Sequence, residues 1–207
     1  MTRTNLVILL GLLLALGVAA IGGLWRSGGT SGAQTSTGKA LIGGAFELVD
    51  HTGKTVTEQT YSGRFMLVYF GFTYCPDVCP TELQNIAVAL DTIGERRRKH
   101  LVPLFVTIDP ERDTRELMAT YVDNFHPDLV GLTGSLAQIK KMASLYRVYF
   151  KKVKEKDQPD GYTMDHSALV FLMDDKGQYV RHFSYGTDGT KMAKGLIKAI
   201  DKRFPNS

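Results

Sequence analysis

The sequence predicts an α/β fold, a central mixed sheet flanked by helices, and three observations carry that reading. Apolar runs of strand length recur at 66–70, 101–108 and 168–173, uninterrupted as in strands buried on both faces. Between them the apolar residues fall at helical spacing. The links between these segments are short, which is how helices are layered onto a sheet rather than gathered in a separate domain. A length of 207 residues, 43% hydrophobic and 22% charged, suits one ordinary globular domain with appendages.

The chain opens on an appendage. Leu6 to Trp25 (LVILLGLLLALGVAAIGGLW) is uncharged and long enough to span a bilayer, so residues 1–26 read as an N-terminal membrane anchor, a single transmembrane helix. Val18-Ala19-Ala20 would also serve as a signal-peptide cleavage site, so a cleaved signal peptide is the competing reading. Arg3 and Arg26 flank the segment and do not orient it. The short tail ahead of an export-type segment places the C-terminal bulk across the membrane. No Arg/Ser-rich transit peptide precedes it, which points to a bacterial origin. Residues 27–44 are rich in Gly, Ser and Thr and read as a flexible tether, leaving 45–207 as the globular domain.

Within the domain, Phe46–Asp50 and Lys54–Thr57 flank a Gly53 turn and predict a small N-terminal hairpin. Met66–Phe70 is the first buried strand. From Pro80, Leu83, Ile86, Ala87, Leu90 and Ile93 lie on one helical face. Leu101–Ile108 is the second buried strand. Asp113 with Glu116 looks like a capping box opening a helix to about Phe125, and Ser135 with Gln138 does the same for a helix carrying Leu136, Ile139, Ala143 and Tyr146. Lys151–Asp165 is read as a long polar loop before the third buried strand, Ala168–Met173. Gln178–Ser184 alternates as an edge strand does, close enough to its predecessor to form a hairpin. A last amphipathic helix covers Thr190–Arg203.

The net charge is +4, with no basic stripe carrying interleaved aromatics, so nucleic acid is not an expected partner. The densest charge run, Glu95–His100, falls where a helix ends, and cations there complement the helix dipole.

Both cysteines lie in FGFTYCPDVCPTEL, at Cys75 and Cys79, directly after the first buried strand. That layout is thioredoxin-like. Pro80 has no N–H to donate and fits the first helical position, which would make Cys79 the cap residue with its sulfur at the positive helix end. Pro76 would set a tight turn bringing Cys75 back beside it. A disulfide here would close a loop of five residues, worth about 2 kcal/mol, the weak end of what a structural staple provides. Two functional readings remain open. A dithiol enzyme usually spaces its cysteines C-x-x-C, whereas this chain has C-x-x-x-C; the wider spacing lets both thiolates hold one soft ion. Thiolates with an imidazole suit copper, while zinc usually wants a fourth ligand. A thiol peroxidase, with Thr73 beside a single reactive cysteine, is a third and weaker reading, since the paired prolines fit it poorly.

Of the five histidines, His51, His100, His126 and His182 sit in a turn, a helix end, a loop and an alternating strand, where structural roles suffice. His166 directly precedes the third buried strand, whose start faces the cysteine turn in a thioredoxin-like sheet. Thioredoxin-type oxidoreductases carry a proline there; here the stretch reads Met164-Asp165-His166-Ser167. His166 is therefore the candidate third donor. Asp165 is a candidate to orient its imidazole from the second shell or to stabilise the loop. Met164 would close the site as a hydrophobic lid, and Asp77 would cap the turn rather than ligate.

With these residues in place, the chain resembles the Sco/SenC family of membrane-tethered copper chaperones. Three blocks carry the resemblance: GRFMLVYFGFTYCPDVCPTEL (Gly63–Leu83), VTIDPERDTRELMATYVDNFHPDLVGLTGS (Val106–Ser135) and DHSALVFLMDDKGQYV (Asp165–Val180). The resemblance implies a thioredoxin-like domain binding copper, Cu(I) or Cu(II), through Cys75, Cys79 and His166. It also implies delivery to the binuclear copper centre of cytochrome c oxidase subunit II, by a binding protein without turnover. Reduction of that subunit's cysteines by a Cys75–Cys79 redox disulfide is the implied alternative. Other periplasmic copper or thiol-redox proteins are further implied partners. The expected location is the bacterial inner membrane, with the domain in the periplasm.

Overall fold

The computed structural model describes residues 41–155 and 161–205. The expected anchor and most of the tether lie outside the described residues. Among the described residues no helix is long and apolar enough to cross a membrane.

The first strands, β1 (Glu47–Asp50) and β2 (Thr55–Thr57), form the expected hairpin, with Glu47 opposite Thr57. Asp50 closes its turn by accepting from the N–H groups of Thr52 and Lys54. A single 3₁₀ turn (Glu58–Tyr61) leads to β3 (Phe65–Gly71), buried along its whole length. Helix α1 (Val78–Arg98) follows, then β4 (Leu101–Thr107), α2 (Arg115–Asp123) and β5 (Val130–Thr133). Next come α3 (Leu136–Leu145) and the pair β6 (Phe150–Lys154) and β7 (Tyr162–His166). The chain ends with β8 (Val170–Met173), β9 (Tyr179–Phe183) and α4 (Gly189–Arg203).

The main sheet has seven strands in the order β2-β1-β5-β4-β3-β8-β9. It is mixed as expected: β3, β4 and β5 run parallel, and antiparallel pairs flank them on both sides. Because side chains alternate along β3, Tyr69 and Phe70 face opposite layers. Phe70 and Phe171 meet Tyr146 at the end of α3, each with ring centroids 5.4 Å from it. Tyr69 stacks on Phe105, which meets Tyr121 of α2. Helices thus cover both faces. Gly189 lets α4 press onto α1, since a Cβ there would meet the Asn85 carbonyl oxygen at 2.6 Å.

Four expectations need correction. Lys151–Asp165 is not a loop: β6 and β7 pair antiparallel in a sheet of their own, from Phe150 opposite His166 to Lys154 opposite Tyr162. Every β6 residue after Phe150 is exposed, so no hydrophobic pattern marked it. The third buried strand starts at Val170, not Ala168. Asp113 does not cap α2; Thr114 does, accepting from the Leu117 N–H, while Asp113 is buried elsewhere. Helix α1 begins at Val78 rather than Pro80. Pro80 therefore occupies the third helical position, where a backbone N–H would have no intrahelical partner and its loss costs nothing. The Ser135/Gln138 capping box forms as read. Of the charge run, Arg97 pairs with Asp201 and Arg98 with Asp128, so these cations hold α1 to its neighbours.

Candidate metal centre

The two cysteines occupy the junction where β3 ends and α1 begins. Cys79 is fully buried as the second residue of α1, and Cys75 is partly buried in the turn before it. Asp77 is the cap residue by position, but its side chain makes no cap bond to the backbone. Instead the Cys79 N–H, one of the helix's orphan donors, points at the Cys75 sulfur at 3.3 Å. This reverses the roles read from the sequence: Cys75 places its sulfur at the positive end of the helix, and Cys79 lies beneath it.

Burial of Cys79 depends on a missing side chain. A Cβ at Gly71 would stand 2.8 Å from the Cys79 sulfur and 2.8 Å from the Phe105 ring. The last residue of β3 must be glycine for the sulfur to reach the sheet.

The electrostatics follow the geometry. Hydrogen bonding from the Cys79 thiol holds Cys75 well below the ordinary thiol range, to about 4. The His166 ring and the N–H groups of Cys79 and Asp77 add to this, against burial, which raises it. Cys79 moves the other way: it gives its hydrogen to Cys75, it is buried, and it faces the negative charge there. The pair is thus asymmetric, with a thiolate outside and a thiol inside.

His166 ends β7 and brings its Nε2 to 3.8 Å from the Cys79 sulfur. Its other nitrogen, Nδ1, lies 3.1 Å from the Ser167 carbonyl oxygen, and its ring meets Phe72 edge-on. The three predicted donors therefore converge. Asp165, exposed and opposite Lys151 on β6, borders the same cleft of about 350 Å³, with Met164 and Tyr185 at its wall. The Thr73 hydroxyl donates to Asp113 at 2.6 Å, so its hydrogen is not directed at either sulfur.

The donor set suits a soft, low-coordinate ion. An ion roughly 2.3 Å from sulfur and about 2.0 Å from nitrogen, with three ligands in a plane, holds those atoms about 3.7 Å apart. The Cys79–His166 separation of 3.8 Å matches that spacing. Among the described residues no three donors are already gathered around one ion-sized point. A side chain must turn to complete the set. The other described histidines are used elsewhere: His51 accepts from the Gly131 N–H, His126 from the Asp128 N–H, His100 stacks on Phe204, and His182 meets the Tyr179 hydroxyl.

Sequence reasoning missed Gly71 and a set of polar residues behind the site, Asp109, Arg112 and Tyr162. The signal available was the pair of acids bracketing an arginine in DPERD, immediately after a buried strand.

Residues 34–201 match the family model described as SCO1/SenC. A curated relative, the protein SCO1 homolog 1, mitochondrial, of Arabidopsis thaliana, is 44% identical over 80% of this chain and 49% of its own length. The human protein SCO1 homolog, mitochondrial, is 42% identical over 80% of this chain and 54% of its own length. The chain thus spans about half the length of these relatives. Among solved structures, Arabidopsis thaliana ScoI with copper bound superposes with a TM-score of 0.73 at 43% identity, covering 78% of this chain and 99% of that one. Bradyrhizobium japonicum ScoI with copper bound gives 0.70 at 43% identity, covering 76% and 99%.

Proposed function

Since the chain belongs to the SCO1/SenC family, we propose that it is a copper-binding metallochaperone whose cargo is held by Cys75, Cys79 and His166. The observation that carries this reading is that Cys75 and His166 line one cleft while the buried Cys79 sulfur lies 3.8 Å from the His166 Nε2. Copper is favoured because the sulfur–nitrogen set suits it, and because the similar plant and bacterial ScoI structures hold copper. The Cys79 N–H and the His166 ring beside the Cys75 sulfur favour its thiolate form, the form that ligates a metal ion. Cys75 is the outer donor and the first to meet an arriving or departing ion. His166 closes the site from the opposite wall.

The client is the binuclear copper centre of cytochrome c oxidase subunit II, as the resemblance implies. Residues 1–26 anchor the chain in the bacterial inner membrane, residues 27–44 tether it, and the domain from residue 45 works in the periplasm. Support for the anchor is the uncharged stretch 6–25. The second reading, thiol:disulfide exchange that keeps the client's cysteines reduced, is favoured by the thiolate character of the more accessible Cys75.

Copper loading of the full chain, read by X-ray absorption, tests the site. Wild type is expected to bind about one copper with sulfur and nitrogen ligation. His166→Ala loses the nitrogen signal, and Cys75→Ser or Cys79→Ser loses one sulfur and most of the affinity. An unchanged spectrum in His166→Ala would sink the three-ligand site. Client maturation that needs both cysteines but not His166 would favour the exchange reading.

A further inference from the structure

The cysteines are built into the frame of the main sheet, but His166 ends a strand of a separate two-stranded sheet. Something must hold that hairpin at a fixed distance from the thiols. The backbone bond at its base, from the Ser167 N–H to the Tyr149 carbonyl, continues the β6–β7 ladder and joins the hairpin's own two ends. Met164 packs into the core, and the buried polar contacts of the hairpin converge on one side chain, Arg112, in the turn between β4 and α2.

The Arg112 side chain is nearly buried, and its Nε donates to Asp109, whose side chain is 1% exposed. Its Nη1 donates to the Tyr162 carbonyl oxygen at 3.1 Å, at the first residue of β7. The guanidinium lies over the Tyr162 ring, its carbon 3.8 Å from the centroid, and also over that of Tyr74, 4.7 Å away in the cysteine turn. The Tyr162 hydroxyl returns to Asp109 at 3.0 Å. Asp109 is fixed in turn, its N–H donating to the Thr107 hydroxyl, which donates to the buried Asp113. Asp113 also accepts from the N–H and hydroxyl of Thr73, two residues before Cys75. One connected polar chain thus runs from the approach to Cys75, beneath the site, to the strand that ends in His166. A buried guanidinium is suited to this, because its planar fork bonds in fixed directions and stacks on rings, where an ammonium does neither.

We infer that Arg112 is a positioning residue: set against the Tyr162 and Tyr74 rings and bonded to Asp109, it pins the β6–β7 hairpin so that His166 stands against the cysteine pair. The inference rests on the reading of Cys75, Cys79 and His166 as the functional cluster. Arg112 acts through Tyr162, Tyr74 and Asp109. Its effect is on where the imidazole is, not on the thiols.

The test uses the metal-free full chain first. Amide hydrogen exchange is measured in wild type, Arg112→Lys, Tyr162→Leu and Tyr162→Phe. Arg112→Lys keeps a positive charge opposite Asp109 but removes the fork. Tyr162→Leu leaves the Arg112–Asp109 pair intact, so it fails to fold only if the hairpin itself is essential to the core. Both are expected to speed exchange in β7 about tenfold or more, as loss of a charge-assisted bond or a cation–π contact implies, with β3 and α1 unchanged. Tyr162→Phe, which keeps the ring under the guanidinium, is expected to recover most of the protection. With copper alone as the probe, Arg112→Lys and Tyr162→Leu lose nitrogen ligation while both sulfurs remain. Unchanged β7 exchange in both variants overturns the inference. So does an equal rise across β3 and α1, which would make Arg112 a general core stabiliser. The ligand reading fails separately, if His166→Ala leaves the copper spectrum intact; the metal-free exchange still decides whether the hairpin is pinned.

Discussion

Cys75 and Cys79 sit where β3 runs into α1, inside the framework of the main sheet, whereas His166 ends a strand that belongs to the separate β6–β7 pair. The cysteine region is apolar and close-packed: Cys79 lies against Gly71, Phe105 and Tyr69, all fully buried or nearly so. The histidine region is mostly exposed and is held by a buried arginine, a buried acid and a stacked tyrosine. A close-packed interior resists displacement because any shift creates overlap or voids. A polar clamp has a small number of discrete bonds, so losing one loosens the arm it holds. The difference gives the site a fixed side and a side that can be released. That division suits the proposed role, in which an ion is taken up and then surrendered.

The fixed side should break when its packing is overfilled. Gly71→Ala puts a methyl 2.8 Å from both the Cys79 sulfur and the Phe105 ring. Overpacking of this kind costs about 1–3 kcal/mol. Denaturant unfolding should show a loss in that range, and copper loading should show weakened sulfur ligation with the nitrogen donor retained. A variant as stable as wild type, with both sulfurs ligating, would mean that the cysteine turn yields as easily as the hairpin.

The contrast between the two sides also explains what could be read from the sequence. The buried strands were legible because a strand covered on both faces is an uninterrupted apolar run, as Phe65–Gly71 and residues 101–106 are. The Ser135/Gln138 box was legible because its bonds are local. Cys75, Cys79 and His166 were found from chemistry, as thiols and an imidazole at elements that a thioredoxin-like sheet brings together. The arm that carries His166 was not legible. Lys151–Lys154 is exposed throughout, so its partnership with Tyr162–His166 leaves no periodic trace. The order of the two thiols was missed by a boundary. Proline is as acceptable at the third helical position as at the first, and a two-residue shift exchanges which sulfur caps the helix.

Glu82 offers a smaller perturbation of the fixed side. It lies in α1 three residues after Cys79, fully buried, with Oε2 accepting from the Gly186 N–H at 3.0 Å and no protein partner for Oε1 among the described residues. Burial raises its pKa above the usual carboxylate value. The folded state therefore holds this proton more tightly than the unfolded chain does. Stability from this group is full below the unfolded value of about 4.3 and declines as pH rises toward the folded value. Glu82→Gln keeps an oxygen for Gly186 and cannot ionise. Its stability relative to wild type should rise with pH across that window. Parallel pH profiles for the two proteins would show that the carboxylate is not desolvated in the way its burial implies.

The smallest expected effect sharpens the account of the released side. Lys152 also meets Tyr162, with Nζ 4.4 Å from the ring centroid, and it pairs with Glu111 at 2.6 Å. By distance alone it looks like a second clamp beside Arg112. Burial separates them. The Lys152 and Glu111 side chains are 43% and 57% exposed, while those of Arg112 and Asp109 are 8% and 1% exposed. Water and salt screen the outer pair, and holding two long side chains in place costs entropy, so such pairs contribute about 0–1 kcal/mol. The inner pair cannot turn to water when its partner moves, so its geometry is enforced. Lys152→Gln should therefore change stability by a few tenths of a kcal/mol at most. It should leave β7 exchange and the copper nitrogen signal as in wild type, at low and high salt alike. If Lys152→Gln instead released His166 as Arg112→Lys does, the hairpin would be held by the summed charge around Tyr162 rather than by one buried fork, and added salt alone would then loosen it.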